Sequence, residues 1–93
     1  MMSKIPVDLA RLSKDSIDKE ILRTAMIAEL DAVNLYEQLA AMTKSKAIKT
    51  ILMDVAKEEK THVGEFQTLL LKLDPQQAME LENGKREVEE KTK

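Results

Sequence analysis

Ile48-Lys49-Thr50-Ile51-Leu52-Met53-Asp54-Val55-Ala56-Lys57-Glu58-Glu59-Lys60-Thr61-His62-Val63-Gly64-Glu65-Phe66-Gln67-Thr68-Leu69-Leu70-Leu71-Lys72-Leu73 decides how this chain folds. Ile48, Leu52, Val55, Glu59, His62, Phe66, Leu69 and Leu73 follow spacings of 4, 3, 4, 3, 4, 3 and 4. That is a heptad seam on one side of a helix. Six of its positions are apolar, and the two at its middle are a carboxylate and the chain's only histidine. Burying an ionised group costs several kcal/mol (an order-of-magnitude figure) unless something pairs with it. Glu and His there imply either a buried compensating partner or a bound metal.

Working outward, an earlier segment repeats the rhythm. Leu22, Ala25, Glu29, Ala32, Tyr36 and Leu39 form a second seam, flanked by Ile21, Ala28, Leu35 and Met42. One acid, Glu29, again sits among apolar positions. The spacing predicts helix one over 16–43, with Asp15 or Ser16 as its N-cap and Asp18 and Glu20 in the first turn. Thr43-Lys44-Ser45-Lys46 is the break, and helix two is expected over 45–73. So short a link makes the helices antiparallel neighbours. Asp74-Pro75 then ends helix two and opens a third: Asp caps, Pro suits the first helical position, and Gln77 lies three beyond the cap. A short helix over 75–82 is expected, with Asn83-Gly84 as its stop. The charged tail, 83–93, reads as a helical extension or a linker. Residues 1–15 read as a polar lead-in around Pro6, with a short helix near Val7–Leu12.

Composition agrees with an all-α, single-domain reading of 1–93. Of 93 residues, 34% are charged, 43% hydrophobic and 2% aromatic, with two Gly and two Pro. Ala, Leu, Ile, Met, Glu, Lys and Gln dominate, and no run alternates with period two. Net charge is −2 with pI about 5.4. No basic stripe stands alone, so no nucleic-acid partner is expected. Apolar runs are short and broken by charge, so no membrane span is expected either. With no leader read ahead of the first charges, cytoplasmic synthesis is the expectation. Cysteine is absent from the sequence, which leaves no thiolate for a disulfide, an iron–sulfur cluster or a thiolate iron site.

Two helices of about 28 residues, each roughly 42 Å long, leave much apolar surface wet when paired only with each other. Ile51, Val63, Leu70 and Leu71 add a further apolar edge to helix two. A hairpin does not enclose that surface, whereas a four-helix bundle does. The chain therefore reads as half a bundle completed by dimerisation, and a homo-oligomer is expected.

The chemistry-bearing residues are Glu29 on helix one and Glu59-Lys60-Thr61-His62 on helix two. Residues three apart share a helix face, so Glu59 and His62 can grip one ion. In bundle proteins of the di-iron carboxylate kind, two helices each supply a Glu and two each supply Glu-x-x-His. This chain holds one of each, so two copies complete the set. Hard oxygen donors with imidazole suit iron, manganese or zinc. Glu29 lies 14 residues before Thr43 and Glu59 lies 14 after Ser45, which sets them at one height in the hairpin. Tyr36, two turns beyond Glu29, is placed to bond a ligand carboxylate or cover the site. Glu65, one turn beyond His62, is a further candidate. Glu58, Asp31 and Glu37 read as surface acids, and the six Met as core filling. A buried Glu–His pair that only fixes register would use the same pattern without metal.

Ala28-Glu29-Leu30-Asp31-Ala32, Asn34-Leu35-Tyr36-Glu37 and Glu58-Glu59-Lys60-Thr61-His62-Val63-Gly64-Glu65-Phe66 together resemble the encapsulated ferritin-like proteins, half-length ferritin relatives packaged in encapsulin shells. The resemblance spans about residues 16–82. It implies a ferritin-like four-helix bundle rebuilt by a homodimer, with a ferroxidase di-iron centre at the interface. Glu29, Glu59 and His62 of each protomer would be its iron ligands. It further implies a ring-shaped decamer, to which the C-terminal helix contributes, inside an encapsulin nanocompartment of the cytoplasm. The implied activity is oxidation of Fe(II) to Fe(III) by dioxygen, feeding iron storage in the shell. Some members carry acids just before and two after the first ligand as a metal entry site; here those positions are Ala28 and Asp31. The aromatic often found beside the tyrosine is Leu35, while Tyr36 matches. Glu87-Val88-Glu89-Glu90-Lys91-Thr92-Lys93 does not resemble a shell-targeting peptide, so the shell partner rests on resemblance. The rival readings are a rubrerythrin-like peroxide or oxygen reductase and a non-catalytic helical scaffold.

Overall fold

Ser45 shows how the local sequence builds the hairpin. Its hydroxyl oxygen accepts the Ile48 N–H at 3.2 Å, and its own N–H donates to the Thr43 hydroxyl at 3.1 Å. The first satisfies one of the orphan donors at a helix start, and the pair of bonds turns the chain within three residues. In the computed structural model, which describes residues 14–93, this turn joins α1 (Lys14–Met42) to α2 (Lys46–Leu73). A third helix, α3, spans Pro75–Lys91. No strand occurs among the described residues. The fold is all-α, as the heptads require. The possible helix near Val7–Leu12 lies outside the described residues.

Helix boundaries differ from expectation by one residue at the end of α1 and the start of α2, and by more at two other ends. α1 begins at Lys14, so Asp15 and Ser16 are helical residues and not caps. α3 does not stop at Asn83-Gly84 but runs on to Lys91. An Asn-Gly stop works by a left-handed glycine, and neither described glycine has positive φ. Asn83 instead donates to the Glu80 carboxylate at 2.9 Å and accepts from Arg86, bonds along one helix face. Glu82 with Arg86 and Glu87 with Lys91 stand at i,i+4 in the favourable order. The helical alternative for the tail is the one realised.

The molecule is thin, 47 × 43 × 20 Å, so little is enclosed. Val33, Ala40, Ala56 and Leu70 are the buried apolar residues among those described. They lie between α1 and α2, where two alanines let the helix axes approach closely. Leu70 therefore belongs to the hairpin core and not to an outer apolar edge. The heptad seam has a different fate. Ile48 is 53% exposed, Leu69 52% and Leu73 45%, and neighbouring Ile51 reaches 63%. The ends of the seam thus face outward, while Leu52, Val55 and Phe66 are half-buried around Glu59 and His62.

Asp74 alone links α2 to α3. Its N–H donates to the Leu70 carbonyl, closing α2 at 2.9 Å, and its carboxylate accepts the Gln77 N–H at 3.1 Å, capping α3. Pro75 disfavours the helical region for the residue before it, and Asp74 has φ −132° and ψ 80°. α3 buries no residue of its own.

Candidate metal centre

Antiparallel pairing puts residues equidistant from the turn at one height. Glu29, from the middle of α1, thus meets Glu59 and His62 of α2, and one ligand atom from each lies within 4.8 Å of the others. The Nδ1 of His62 is 3.3 Å from Oε2 of Glu29 and 3.5 Å from Oε2 of Glu59. The imidazole stands between two carboxylates, one contributed by each helix. This is the one cluster of three or more potential ligands among the described residues. Val55 before it and Phe66 after it continue the same face, half-buried, so the donors sit within an apolar surround.

Burial of the three is incomplete: the side chains of Glu29 and Glu59 are 21% and 18% exposed, and that of His62 is 41% exposed. The opening lies on the seam side, where Ile48, Leu69 and Leu73 also meet solvent. Two carboxylates and one imidazole fit a hard or borderline divalent ion such as Fe(II), Mn(II) or Zn(II). Three donors leave coordination positions of that ion unfilled by this chain.

The other candidates do not join the cluster. Tyr36 and Asp31 are half-buried and Glu65 and Glu58 exposed, and none of the four is among the clustered ligands. Asp31 has a polar partner of its own. Glu37 pairs across the helices with Lys60 at 3.3 Å. Lys60 thus turns away from its neighbours Glu59 and His62 to brace α1 against α2. This brace and the Arg23–Asp74 pair, 2.8 Å between Nη2 and Oδ2, join residues far apart in sequence, and no local pattern marks them.

Two apolar grooves flank the hairpin. One, of about 330 Å³, is lined by Asp18, Ile21, Leu22, Leu69, Lys72 and Leu73. Leu22 is seven residues before Glu29 and Leu69 seven after His62, so this groove continues the metal face toward the open end of the hairpin. The other, of about 340 Å³, lies between α1, α2 and the first turns of α3, with Ile27, Leu30, Leu71 and Leu81 on its walls. No described helix is long and apolar enough to cross a membrane.

Known proteins resemble this chain in sequence and in fold. The rubrerythrin family profile matches residues 20–93. A ferritin-like–encapsulin shell fusion protein of Pyrococcus furiosus is 60% identical over 73 residues, covering 78% of this chain and 21% of that protein. An encapsulin nanocompartment cargo protein, EncC, of Myxococcus xanthus is 41% identical over 64 residues, covering 66% of this chain and 49% of that protein. The chain thus spans about a fifth of the first relative and about half of the second. The crystal structure of the encapsulated ferritin domain from Pyrococcus furiosus superposes with a TM-score of 0.83 at 49% identity, covering 97% of this chain and 94% of that one.

Proposed function

We propose a ferroxidase, from the premise that the chain belongs to the rubrerythrin family of ferritin-like proteins and is an encapsulated ferritin-like cargo protein. The observation that carries the reading is the convergence of Glu29, Glu59 and His62, their ligand atoms within 4.8 Å of one another, on an outward apolar face. A second copy laid on that face brings a matching triplet. Two chains then offer four carboxylates and two imidazoles, the donor set of a di-iron carboxylate bundle. Fe(II) is the substrate. Glu29, Glu59 and Nδ1 of His62 hold it, the last giving up any hydrogen it carries. Two Fe(II) supply two electrons, enough to take dioxygen to hydrogen peroxide with two protons from water. The protein's own work is placement and charge compensation, and closure of the face by the second copy keeps bulk water from the ions.

The same reading covers partners and place. The exposed seam supports a homodimer, and the back groove with α3 supports growth to a ring-shaped decamer. The names of the relatives support residence in an encapsulin nanocompartment in the cytoplasm, where the shell stores the Fe(III) that an open ring cannot retain. The test is aerobic addition of Fe(II) at known protein mass and metal content. Ferric absorbance should rise with two ions taken up per dimer, and Glu29→Ala and His62→Ala should lose that rise.

The family match favours one second reading, reduction of peroxide or dioxygen with electrons from a donor. This sequence has no cysteine for a thiolate iron relay, so the electrons would have to come from a donor outside these 93 residues. Reductant-dependent peroxide turnover faster than iron oxidation would replace the first reading with this one.

A further inference from the structure

We infer that the Arg23–Asp74 pair is a clasp that sets the direction in which α3 leaves the hairpin, and through it the shape of the back groove. The hinge between α2 and α3 is one residue long, and that residue spends both carboxylate oxygens. Oδ1 accepts the Gln77 N–H that caps α3, and Oδ2 accepts Nη2 of Arg23 at 2.8 Å, 51 residues away on α1. α3 has no buried residue to hold it elsewhere, and Met79, Leu81 and Val88 are 58, 42 and 61% exposed. Its orientation therefore rests on what happens at its first turn.

Arg23 is also a wall of the back groove, with Met26, Ile27 and Leu30 of α1. Gln77 and Leu81 form the wall that α3 contributes, facing Leu70 and Leu71 of α2. Moving α3 about Asp74 moves that wall, so the clasp decides whether the apolar groove keeps its present shape. The Asp74 side chain is 13% exposed and that of Arg23 45%. A half-exposed pair of this kind weighs little against global unfolding but shifts a loosely held equilibrium by up to about fivefold. The clasp is independent of the metal ligands, which lie elsewhere along both helices.

Double electron–electron resonance tests this directly, because the sequence has no cysteine to interfere. Spin labels at Gln38→Cys on α1 and Glu87→Cys on α3, in chains diluted with unlabelled protein, report the α3 direction. Arg23→Met keeps the stem in the groove and removes the charge. Asp74→Asn keeps a capping acceptor and removes the charge on the other side. Each should broaden the distance distribution and cut the population in the parental orientation by up to about fivefold. The double variant should do no more than either single one, and Arg23→Lys should restore part of the loss. Ferric absorbance on Fe(II) addition should stay near parental in Arg23→Met. If Arg23→Met and Asp74→Asn keep the parental distance distribution with α3 helical by circular dichroism, the clasp is overturned. Additive losses in the double variant overturn it equally.

Discussion

Nδ1 of His62 lies 3.3 Å from Oε2 of Glu29, although 33 residues separate them along the chain. With Oε2 of Glu59 3.5 Å from the same nitrogen, one carboxylate from each helix faces Nδ1. The hairpin itself thus brings three potential metal donors together in a single chain. In a single chain the side chains of Glu29 and Glu59 stay 21% and 18% exposed and that of His62 41% exposed.

Loss of one donor should therefore be felt in chemistry before it is felt in folding. Glu29→Ala or His62→Ala should lower the initial rate of ferric absorbance by about 100-fold or more, since even groups behind the ligands cost 10–100-fold (order of magnitude) when removed. Circular dichroism should show the parental helix content, because Val33, Ala40, Ala56 and Leu70 are untouched. A rate within twofold of parent would remove these residues from the reaction.

Association should depend on the outward seam. Covering the exposed half of Ile51 or Leu69 is worth about 1 kcal/mol each, and a glutamate there also forces a charge into the contact. Ile51→Glu with Leu69→Glu should bring the mass in solution to that of one chain, and iron oxidation should fall with it. Light scattering and the ferric assay on the same samples check both. A monomer that oxidises iron at the parental rate would show that one chain is sufficient.

How much of this was legible in the sequence varies with the range of the interaction. The period of α2 and its Asp74-Pro75 stop are local and legible, while its start, expected at Ser45, falls at Lys46 with Ser45 as the cap. The heights of Glu29 and Glu59 followed from counting outward from a short turn, and the structure brings the two together with His62. The end of α3 was misread because Asn83-Gly84 is a stop only when glycine takes a left-handed conformation, and the flanking charges keep it helical. Leu70 reads as part of an outer edge because a 3,4 pattern gives the apolar side of a helix but not which part of it meets α1. Arg23–Asp74 and Lys60–Glu37 were invisible, being set by how two helices lie across each other.

Gly84 gives a direct measure of the α3 extension. It lies inside the helix, and a Cβ built there meets no heavy atom within 4 Å. Gly84→Ala should therefore add helix without a clash, raising stability by about 0.5–1 kcal/mol if α3 melts with the rest of the chain. Thermal melting followed at 222 nm should move upward. A lower midpoint would mean that another chain packs against this position.

The α2–α3 junction should weaken in acid, and the sign follows from Asp74. The Gln77 N–H donated to its carboxylate, opposed in part by desolvation and helped by the Arg23 hydrogen bond and the nearby Lys19 and Arg23 charges, lowers its pKa below the ordinary 3.8. Glu20 lies 3.9 Å from Arg23 on the same helix. A carboxyl group whose folded pKa is depressed contributes its full stabilisation above the unfolded value, and that contribution disappears as pH falls through the folded one. The cap and the ion pair should thus be intact at neutral pH and lost only below about pH 4. Over that range α3 amides should gain hydrogen exchange relative to the Leu70–Leu73 turn. Asp74→Asn should show the weaker junction already at pH 7 and little further change on acidification. If parent and Asp74→Asn lose α3 protection with the same acid midpoint, the controlling group is another carboxylate.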